Sequence, residues 1–340
     1  MAVTLLSSIS SALSTYFDPK LTRQWNRMAR TISKFEAKPG TGKSVNWDIS
    51  TSGQTALAYT EGDDIQSTEL LVDAKVPMIL SWANYRNGFG LSELQLEAAL
   101  NSPGSATQLM RLFGESVFES TAALSNKLNV DFFTGIGASN QLCGLDYSLL
   151  STGTYATQTV TGVLVSNLDT NGTVNRALTI DLMNKMESKI FVASGMRPDL
   201  IVTSPGVFNK YKGLFEPIRR VEGMSVNRYD TSVSDDQVFF MGIPVIRDKD
   251  CPTGKMYFLN RDVVHLEYSP MSNFGDAVTF TVKSAEGSNG NDGDGQEFGI
   301  PIKMQALAKT GDSVKFFLRT TCQVVVRRPN ACGIISYISE

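Results

Sequence analysis

The chain has 340 residues, of which 42% are hydrophobic and 19% charged, a composition typical of a globular protein with two or three modules. Its net charge is −3 and its pI about 5.4, so no global basic surface for nucleic acid is indicated. The amino end lacks the basic lead and continuous apolar core of a signal peptide, and no run of about eighteen apolar residues predicts a membrane span.

Residues 1–40 are predicted to form an arm of two short amphipathic helices. Apolar residues recur at helical spacing from Leu5 to Phe17, and again from Leu21 to Ile32. Two such helices bury little core of their own. We therefore expect the arm to pack on a partner or on the body of the subunit.

A glycine-rich segment at 38–44 predicts a flexible joint, after which the hydrophobic period changes to two. Apolar residues then alternate along two predicted strands: Val45, Trp47, Ile49, Leu57 and Tyr59, then Leu70, Val72, Ala74, Val76, Met78 and Leu80. The polar segment between the strands, residues 60–68, has an acidic tip with Glu61, Asp63 and Asp64. An isolated pair of strands is marginally stable in water, so this excursion is expected to lie against another surface.

A short helix is predicted at 91–100. The longest helical pattern of the chain follows it and covers residues 105–133. Its apolar residues recur at three- and four-residue steps: Ala106, Leu109, Phe113, Val117, Leu124, Leu128 and Phe132. Gly104 precedes this run, and Gly135 follows it. A helix of this length measures roughly 44 Å, long enough to be the axis of a domain.

The central part of the chain alternates irregular segments with two predicted helices. Residues 138–178 predict short strands and loops. One helix is predicted from Thr179 to Gly195, and Ser204–Pro205 supplies a cap and a first-turn proline for another. A charged, flexible region is predicted at 216–236.

The rest of the chain is rich in predicted strands. They cover residues 200–202, 238–241, 243–246, 255–259, 263–268, 277–282, 302–306, 314–319 and 323–327, with a Gly/Asn/Asp loop at 286–299. Helices and strands are interleaved but segregated by region. This order predicts an α+β fold rather than a repeated βαβ sheet.

Residues 37–44, with the sequence AKPGTGKS, resemble a phosphate-binding P-loop in which alanine replaces the first glycine. That loop requires a buried strand before it and a helix after it, whose amino end holds the phosphates. Here the preceding pattern is helical and the following pattern is that of a strand. Nucleotide binding by Lys43 is therefore disfavoured.

Other candidates for ligand chemistry are weak, and we predict no catalytic, metal or cofactor site. Residues 289–295 could offer Asp292 and Asp294 to calcium, but Gly290 and Pro301 would occupy the first and last ligand positions. His265 is the single histidine and lies on an alternating strand, so a structural role is expected. The cysteines predict buried free thiols, since none forms a C-x-x-C pair: Cys143, Cys251, Cys322 and Cys332.

Three segments in the second half of the chain have recognisable sequence motifs. They read RPDLIVTSPGVFNKY at 197–211, FFMGIPVIRD at 239–248 and CPTGKMYFLN at 251–260. Gly242 and Pro244 shape a tight turn into a strand, and the turn at 252–254 leads into the next one. Together with YTEG at 59–62 and GLSE at 90–93, these segments resemble the major capsid proteins of tailed bacteriophages.

The resemblance implies the Hong Kong 97 fold, and the order of the predicted elements agrees with it. Its parts would be an arm at 1–42, an extended loop at 43–84, a peripheral domain with a spine helix at 85–137 and 300–340, and an axial domain with its connections at 138–299. The family's large amino-terminal scaffolding extension has no counterpart, since the hairpin begins near residue 45. A separate scaffolding protein is therefore expected.

The implied function is that of a structural protein and not an enzyme. Its subunits would assemble as pentamers and hexamers into an icosahedral shell that encloses double-stranded DNA without reading its sequence. Expected partners are further copies of the chain, a scaffolding protein, a portal and decoration proteins, with no cofactor and no membrane. The expected location is the virion capsid, assembled in the host cytoplasm.

Two other classes of function stay open at this stage. An encapsulin-like cellular compartment has the same fold but packages an enzyme. A P-loop enzyme would bind nucleotide through Lys43.

Some members of the capsid family join subunits by an isopeptide bond between a lysine of the extended loop and an asparagine of a neighbour's peripheral domain. Asn330 is a candidate acceptor here, but residues 60–68 contain no lysine, and Lys43 and Lys75 lie toward the base of the hairpin. The lysine must also be neutral to attack, which requires a desolvated site or a neighbouring carboxylate. We therefore predict a shell held by non-covalent contacts.

Overall fold

A computed structural model describes residues 31–50, 58, 60–61, 75–94, 97, 105–221, 238–269, 277–283, 299–307 and 313–340. The predicted arm helices before residue 31 lie outside the described residues. So do the hairpin tip except for Glu61 at its edge, most of the charged region at 216–236, and the loop at 289–295.

The described strands lie in two six-stranded sheets and two short hairpins. In chain order they are β1 (Ala37–Pro39), β2 (Ser44–Ser50), β3 (Lys75–Ser81), β4 (Ala83–Ser92), β5 (Thr154–Tyr155), β6 (Gln158–Thr159), β7 (Asn167–Asp169), β8 (Leu200–Thr203), β9 (Val238–Phe240), β10 (Ile243–Arg247), β11 (Met256–Leu259), β12 (Val264–Tyr268), β13 (Ala277–Lys283), β14 (Gly299–Ala306), β15 (Ser313–Val326) and β16 (Gly333–Ile335). The α-helices are α1 (Ser105–Thr134), α2 (Leu145–Ser148), α3 (Ile180–Ser194) and α4 (Pro205–Val221), with 3₁₀ turns at Ile32–Lys34, Gly162–Leu164, Asn171–Thr173 and Pro329–Ala331.

The first sheet is built around β15, a strand of 14 residues. Its order is β1-β12-β15-β14-β13, and β4 pairs antiparallel with β15 from Ser92↔Ser313 to Ala83↔Cys322. The sequence predicted two strands, at 314–319 and 323–327, where the structure has one. The predicted helix at 91–100 is also wrong at its start, because Leu91 and Ser92 end β4 and the helical conformation begins at Glu93.

The second sheet has the order β7-β16-β11-β8-β10-β9 and is covered on both faces. Along β11, Met256 and Phe258 belong to a core shared with α3 and α4, whereas Tyr257 and Leu259 belong to the core that contains α1. Every residue of β8 and of β11 is therefore buried. A strand buried on both faces has a continuous apolar sequence rather than an alternating one.

Helix α1 has 30 residues, one more than predicted. Its described apolar stripe is buried as expected: Phe113, Val117, Leu124, Leu128 and Phe132. The helix ends where two glycines cross closely, since a Cβ on Gly135 would lie 2.3 Å from the carbonyl oxygen of Leu142, and one on Gly144 would lie 2.6 Å from that of Asp131. Only glycine fits such an approach of two backbones.

The boundaries of α3 and α4 follow the predicted caps. The Thr179 hydroxyl accepts a hydrogen bond from the Leu182 amide at 3.2 Å, and Gly195 ends α3 in the left-handed conformation. The Ser204 hydroxyl accepts from the Val207 amide at 3.4 Å. Helix α4 continues to Val221, so residues 216–221, predicted to be flexible, are helical.

Strands β2 and β3 form an antiparallel hairpin whose root is held by the body of the same chain. The pairs Val45↔Leu80, Trp47↔Met78 and Ile49↔Val76 lie on its inner face. Trp47 packs on Tyr155 with ring centroids 6.2 Å apart, and the Ile79 amide donates to the Ala156 carbonyl at 3.1 Å. The predicted joint before the hairpin is wrong at its start, because β1 pairs parallel with β12 instead of staying flexible.

Four aromatic rings connect the amino-terminal segment, α1 and the second sheet. Phe35 lies 5.4 Å from Phe132, Phe132 lies 5.4 Å from Phe133, and Phe133 lies 5.5 Å from Tyr257, measured between ring centroids. These separations are typical of favourable aromatic pairs. The carboxyl-terminal end of α1 is therefore the point at which both sheets and the segment before β1 meet.

Removing one ring from this junction is expected to destabilise the subunit strongly. Phe133 is fully buried, so Phe133→Ala should lower the free energy of unfolding by about 3–5 kcal/mol, measured by denaturant titration of the unassembled protein. Val130→Ala, at a position on the same helix that is 38% exposed, is the control and should cost about 0.5 kcal/mol or less. Equal losses from the two substitutions would contradict a junction centred on these rings.

Candidate functional site

One buried carboxylate joins three separate parts of the chain at the end of α1. Asn129 Nδ2 donates to Asp248 Oδ1 at 2.9 Å and to Asp250 Oδ2 at 2.8 Å. The Thr31 amide donates to Asp248 Oδ2 at 3.2 Å, and the Thr31 hydroxyl donates to the same oxygen. Asp248, which lies in the loop after β10, therefore connects Thr31 of the amino-terminal segment to α1.

A second polar group ties β4 to the same helix end. The Tyr85 hydroxyl donates to Asp131 Oδ2 at 2.7 Å and accepts from the Leu142 amide at 2.9 Å, while Lys127 Nζ lies 2.8 Å from Asp131 Oδ1. Burial, the largest cause, raises the pKa of Tyr85 well above its usual value. The phenol is therefore a permanent donor at neutral pH, which suits a structural role and not proton transfer.

The last residues of the chain pack against the amino end of α4. The Glu340 side chain accepts hydrogen bonds from the Ser204 hydroxyl and, at 2.8 Å, from the Gly254 amide. A cavity of about 560 Å³ lies beside it, and Lys255 at its wall pairs with Asp146 at 2.7 Å. The charged groups that line this cavity are thus already paired within the chain.

The residues considered for ligand chemistry are not brought together by the fold. Lys43 is exposed on the turn between β1 and β2, and the strand β2 follows it where a P-loop requires a helix. His265 is 2% exposed, with Nε2 3.2 Å from Glu267 Oε1. Within the described ranges, no group of three or more His, Cys, Asp or Glu side chains could hold a metal ion.

The four cysteines are free and buried, as the sequence predicted. Burial raises the pKa of Cys322 and of Cys332 to about 12, and it is also the largest cause of the raised pKa of Cys143 and Cys251. A thiol with a raised pKa carries little of the reactive thiolate at neutral pH. These side chains therefore pack as small apolar groups.

Asn330, the candidate acceptor for a covalent cross-link, is buried in the 3₁₀ turn after β15. Its side-chain Nδ2 donates to the Ala193 carbonyl at 3.0 Å, and its backbone carbonyl accepts from Asn167 Nδ2 at 2.8 Å. The amide is therefore committed to contacts within the subunit. A lysine from outside could not approach it without local unfolding.

The described surface exposes large apolar side chains at two edges of the second sheet. Phe239 and Met241 protrude at the turn of the β9–β10 hairpin, and Met241 is 61% exposed there with a positive φ of 50°. Phe191 and Val192 protrude from α3, which packs at the β7–β16 end of the sheet; Val192 is 86% exposed. Contiguous exposed apolar patches mark contact surfaces for other macromolecules, so these two pairs, here called the two apolar patches, are candidates for such contacts.

A model of the SU10 major capsid protein family matches residues 121–339, from the middle of α1 to the penultimate residue. The chain belongs to the SU10 major capsid protein family. A comparison with curated proteins finds no match. This match confirms the family of phage capsid proteins that was inferred from the sequence motifs at residues 197–260.

Solved structures with the same fold include capsid proteins and an encapsulin. The capsid asymmetric unit of cyanophage A-1(L) has a TM-score of 0.72 and 18% identity, and the match covers 92% of this chain and 93% of that one. The capsid of a native GTA particle has a TM-score of 0.53 and 10% identity over 92% and 90%. The SrpI encapsulin complex from Synechococcus elongatus PCC 7942 has a TM-score of 0.50 and 12% identity over 91% and 89%.

These likenesses confirm the predicted α+β class and the Hong Kong 97-type capsid fold. The SU10 family is one of structural capsid proteins. No helix in the described part of the chain is both long and apolar enough to cross a membrane.

The polar junction at the end of α1 was missed by sequence reasoning. Asp248 is 119 residues from Asn129 and 217 from Thr31 in the sequence, so no local pattern could pair them. The available signal was the polar pair Asn129 and Asp131 inside an apolar stretch of a long helix. Buried polar groups on such a stripe require partners elsewhere in the fold.

We predict that assembled particles of this capsid protein contain no covalent links between subunits, because the Asn330 amide is buried and already bonded within its own subunit. Particles boiled in detergent should run as one band near 37.1 kDa. A ladder of higher bands would contradict the prediction. Its loss in Lys43→Ala or Lys75→Ala would then identify the lysine responsible.

Proposed function

We propose that this capsid protein assembles as pentamers and hexamers into a closed icosahedral shell that encloses double-stranded DNA. The observation that carries the proposal is the likeness to the cyanophage capsid subunit over 92% of the chain at a TM-score of 0.72. Because the match covers nearly the whole chain, it supports the function of a complete shell subunit rather than that of a single shared domain.

The two apolar patches support assembly in rings. One patch lies at the β9 edge of the second sheet and the other on α3 near the β7 edge. When different surfaces of identical subunits meet head to tail, the contact repeats, and it closes into a ring where the rotation between neighbours adds up to a full turn. Patches at opposite edges of one sheet suit such a contact better than a two-fold dimer, which would pair one patch with itself.

The β2–β3 hairpin supports a further contact with a neighbouring subunit, in addition to the contact between sheet edges. Twenty-four residues, 51–74, connect the outer ends of β2 and β3. As two extended legs they would reach about 40 Å, more than the thickness of a small domain. The inner face at the root of the hairpin is covered by its own subunit, so the remaining length is available to a neighbour.

We keep the domain limits inferred from the sequence as a proposal. We refine them by the sheet to which each strand belongs. Strands β12 and β13 pair in the first sheet, next to α1, whereas β16 pairs in the second. We therefore assign residues 264–268 and 277–283 to the peripheral domain with the spine helix α1. Residues 333–335 go to the axial domain, and 1–42 and 43–84 stay as arm and extended loop.

The protein acts in this proposal by assembly alone, with no reaction and no cofactor. Its partners are further copies, a scaffolding protein, a portal and decoration proteins, and it encloses DNA without reading its sequence. Assembly takes place in the host cytoplasm, and the product is the virion capsid. No interface with a membrane is part of the proposal.

A second candidate, an encapsulin-like compartment, is favoured by the likeness to the SrpI encapsulin. The phage function is preferred because the cyanophage capsid likeness is higher, at 0.72 against 0.50 in TM-score, and the matching family is that of a phage capsid protein. The content of purified particles separates the two, since a phage shell holds DNA and a compartment holds an enzyme. A P-loop enzyme is disfavoured by the strand that follows Lys43.

The assembly test is direct. The protein, expressed alone and with a scaffolding protein, is expected to form capsomers or closed shells that sediment far ahead of the monomer and appear as particles by electron microscopy. Sedimentation as monomer alone at high concentration, with the scaffold present, would refute the proposal.

We further predict that deleting residues 52–67 leaves a folded subunit but prevents closed shells. The hairpin root is stabilised by Trp47, Tyr155 and the paired strands, all of which the deletion spares. Circular dichroism and thermal unfolding of the variant should match those of the parent, while electron microscopy shows no closed particles. Normal shells from the deleted chain would contradict a role for this segment in closure.

A further inference from the structure

The 3₁₀ turn that follows β7 contains an Asn–Gly dipeptide in the left-handed conformation. Asn171, Gly172 and Thr173 have φ values of 44°, 60° and 73°. Asparagine and glycine enter this region more readily than other residues, whereas a β-branched residue such as threonine is strained there. All three residues are exposed, and a Cβ added at Gly172 would meet no atom within 4 Å. Asn171 and Gly172 therefore lie clear of the rest of the fold.

An asparagine followed by glycine is chemically suited to intramolecular deamidation. The backbone nitrogen of the glycine attacks the asparagine Cγ, the new N–Cγ bond closes a five-membered succinimide ring, and the Cγ–Nδ2 bond breaks with release of ammonia. Water then opens the ring at either carbonyl and gives aspartate or isoaspartate. Glycine favours the attack because it has no Cβ to shield its nitrogen and because its backbone is the most permissive. The reaction needs only water, and the same lability makes asparagine scarce in proteins adapted to high temperature.

The hydrogen bonds that hold this turn closed are all at the surface. The Thr173 amide donates to the Thr170 carbonyl at 2.8 Å, and the Val174 amide donates to the Asn171 carbonyl at 3.2 Å. The Asn171 Nδ2 donates to the Val174 carbonyl at 2.9 Å, and Val174 itself is 64% exposed. Solvent-exposed hydrogen bonds in a segment with few buried contacts open at low free-energy cost. The Asn171 side chain can therefore leave Val174 and bring its Cγ to the Gly172 nitrogen.

A second Asn–Gly dipeptide, Asn87–Gly88, is held by the fold. Its two residues lie in the β4–β15 ladder, opposite Leu318 and Phe317. The Asn87 Nδ2 donates to the Ser120 carbonyl of α1 at 3.1 Å, and the Asn87 Oδ1 accepts from the Gly88 amide at 3.0 Å. Both ends of the side chain are thus bonded, and the ladder fixes the backbone. Ring closure at Asn87 would require local unfolding of the first sheet.

We propose that Asn171 is a site of spontaneous covalent modification in the folded protein, at which water converts the side-chain amide into aspartate and isoaspartate. This inference does not depend on the proposed function. Each event adds one negative charge, and isoaspartate also adds one carbon to the main-chain path of the turn. The turn connects Asp169 of β7 to Arg176, which pair at 2.6 Å. The protein therefore becomes a mixture of charge forms as it ages, with the change located at the β7 end of the second sheet.

The two dipeptides provide an internal comparison within one unmodified protein. The folded protein is incubated in mildly alkaline buffer, and peptide mass spectrometry follows the gain in mass when an amide becomes a carboxyl group at each asparagine. Asn171 should convert faster than Asn87 by about tenfold or more, because protection by the sheet raises the barrier at Asn87. Methyl transfer from a labelled donor by an isoaspartyl methyltransferase should label the peptide around position 171. The third Asn–Gly pair, at 289–290, lies outside the described residues and is read in a separate peptide.

The denatured chain is the control for intrinsic reactivity. In denaturant no fold protects either dipeptide, so Asn87 and Asn171 should convert at similar rates. Similar rates in the folded protein would overturn the inference, as would faster conversion at Asn87. No conversion at Asn171 in the folded protein, over a period in which the denatured chain reacts, would also overturn it.

Two matched substitutions locate the reaction. Asn171→Gln keeps an amide at the position but would have to close a six-membered ring, which forms more slowly, so modification in this peptide should be lost. Asn87→Gln is the control and should leave the rate at Asn171 unchanged. Circular dichroism of both variants should match that of the parent. An undiminished isoaspartate signal in the peptide around position 171 of the Asn171→Gln variant would assign the reaction to another residue and overturn the inference.

Discussion

The architecture depends on the burial of one helix end. At the last two turns of α1, Phe132 and Phe133 connect the segment before β1 to the second sheet, and Asn129 and Asp131 bind polar groups from both sheets. Apolar packing supplies the larger share of the free energy there, and the buried carboxylates fix the relative orientation, because a misplaced carboxylate would lose its donors. The two sheets thus meet at this helix end, within an apolar core to which both contribute.

Around that anchor the chain separates its surfaces by chemistry. Apolar residues protrude from the β9–β10 hairpin and from α3, whereas the sequence between β2 and β3 contains five acids and no Lys or Arg. A monomer would gain nothing from such a division. A subunit surrounded by copies of itself can use each surface for a different neighbour, since complementary patches on one molecule set both the order and the direction of assembly.

Local patterns were sufficient to predict the long helix, the alternation of Val45, Trp47 and Ile49, and the caps at Thr179 and Gly195, because neighbours in sequence determine these features. Strand β4 was not predicted, since Gly88 and Gly90 on one face and the polar Asn87 on the other interrupt the alternation of polar and apolar side chains. The middle of β15 is buried on both faces, which removes the period of two and made one strand look like two. The polar contacts of Asp248 escaped prediction because they join residues more than a hundred positions apart. The absence of a P-loop helix after Lys43, in contrast, followed from the strand pattern alone.

The burial of the four unpaired thiols has a consequence for the life of a virion. Each sulfur packs as an apolar group, and burial keeps it protonated at neutral pH. The fold therefore needs no oxidant to form and offers no accessible thiolate to peroxide or to a foreign disulfide. A subunit built in this way keeps its cysteines in the same covalent state in reducing and in oxidising surroundings.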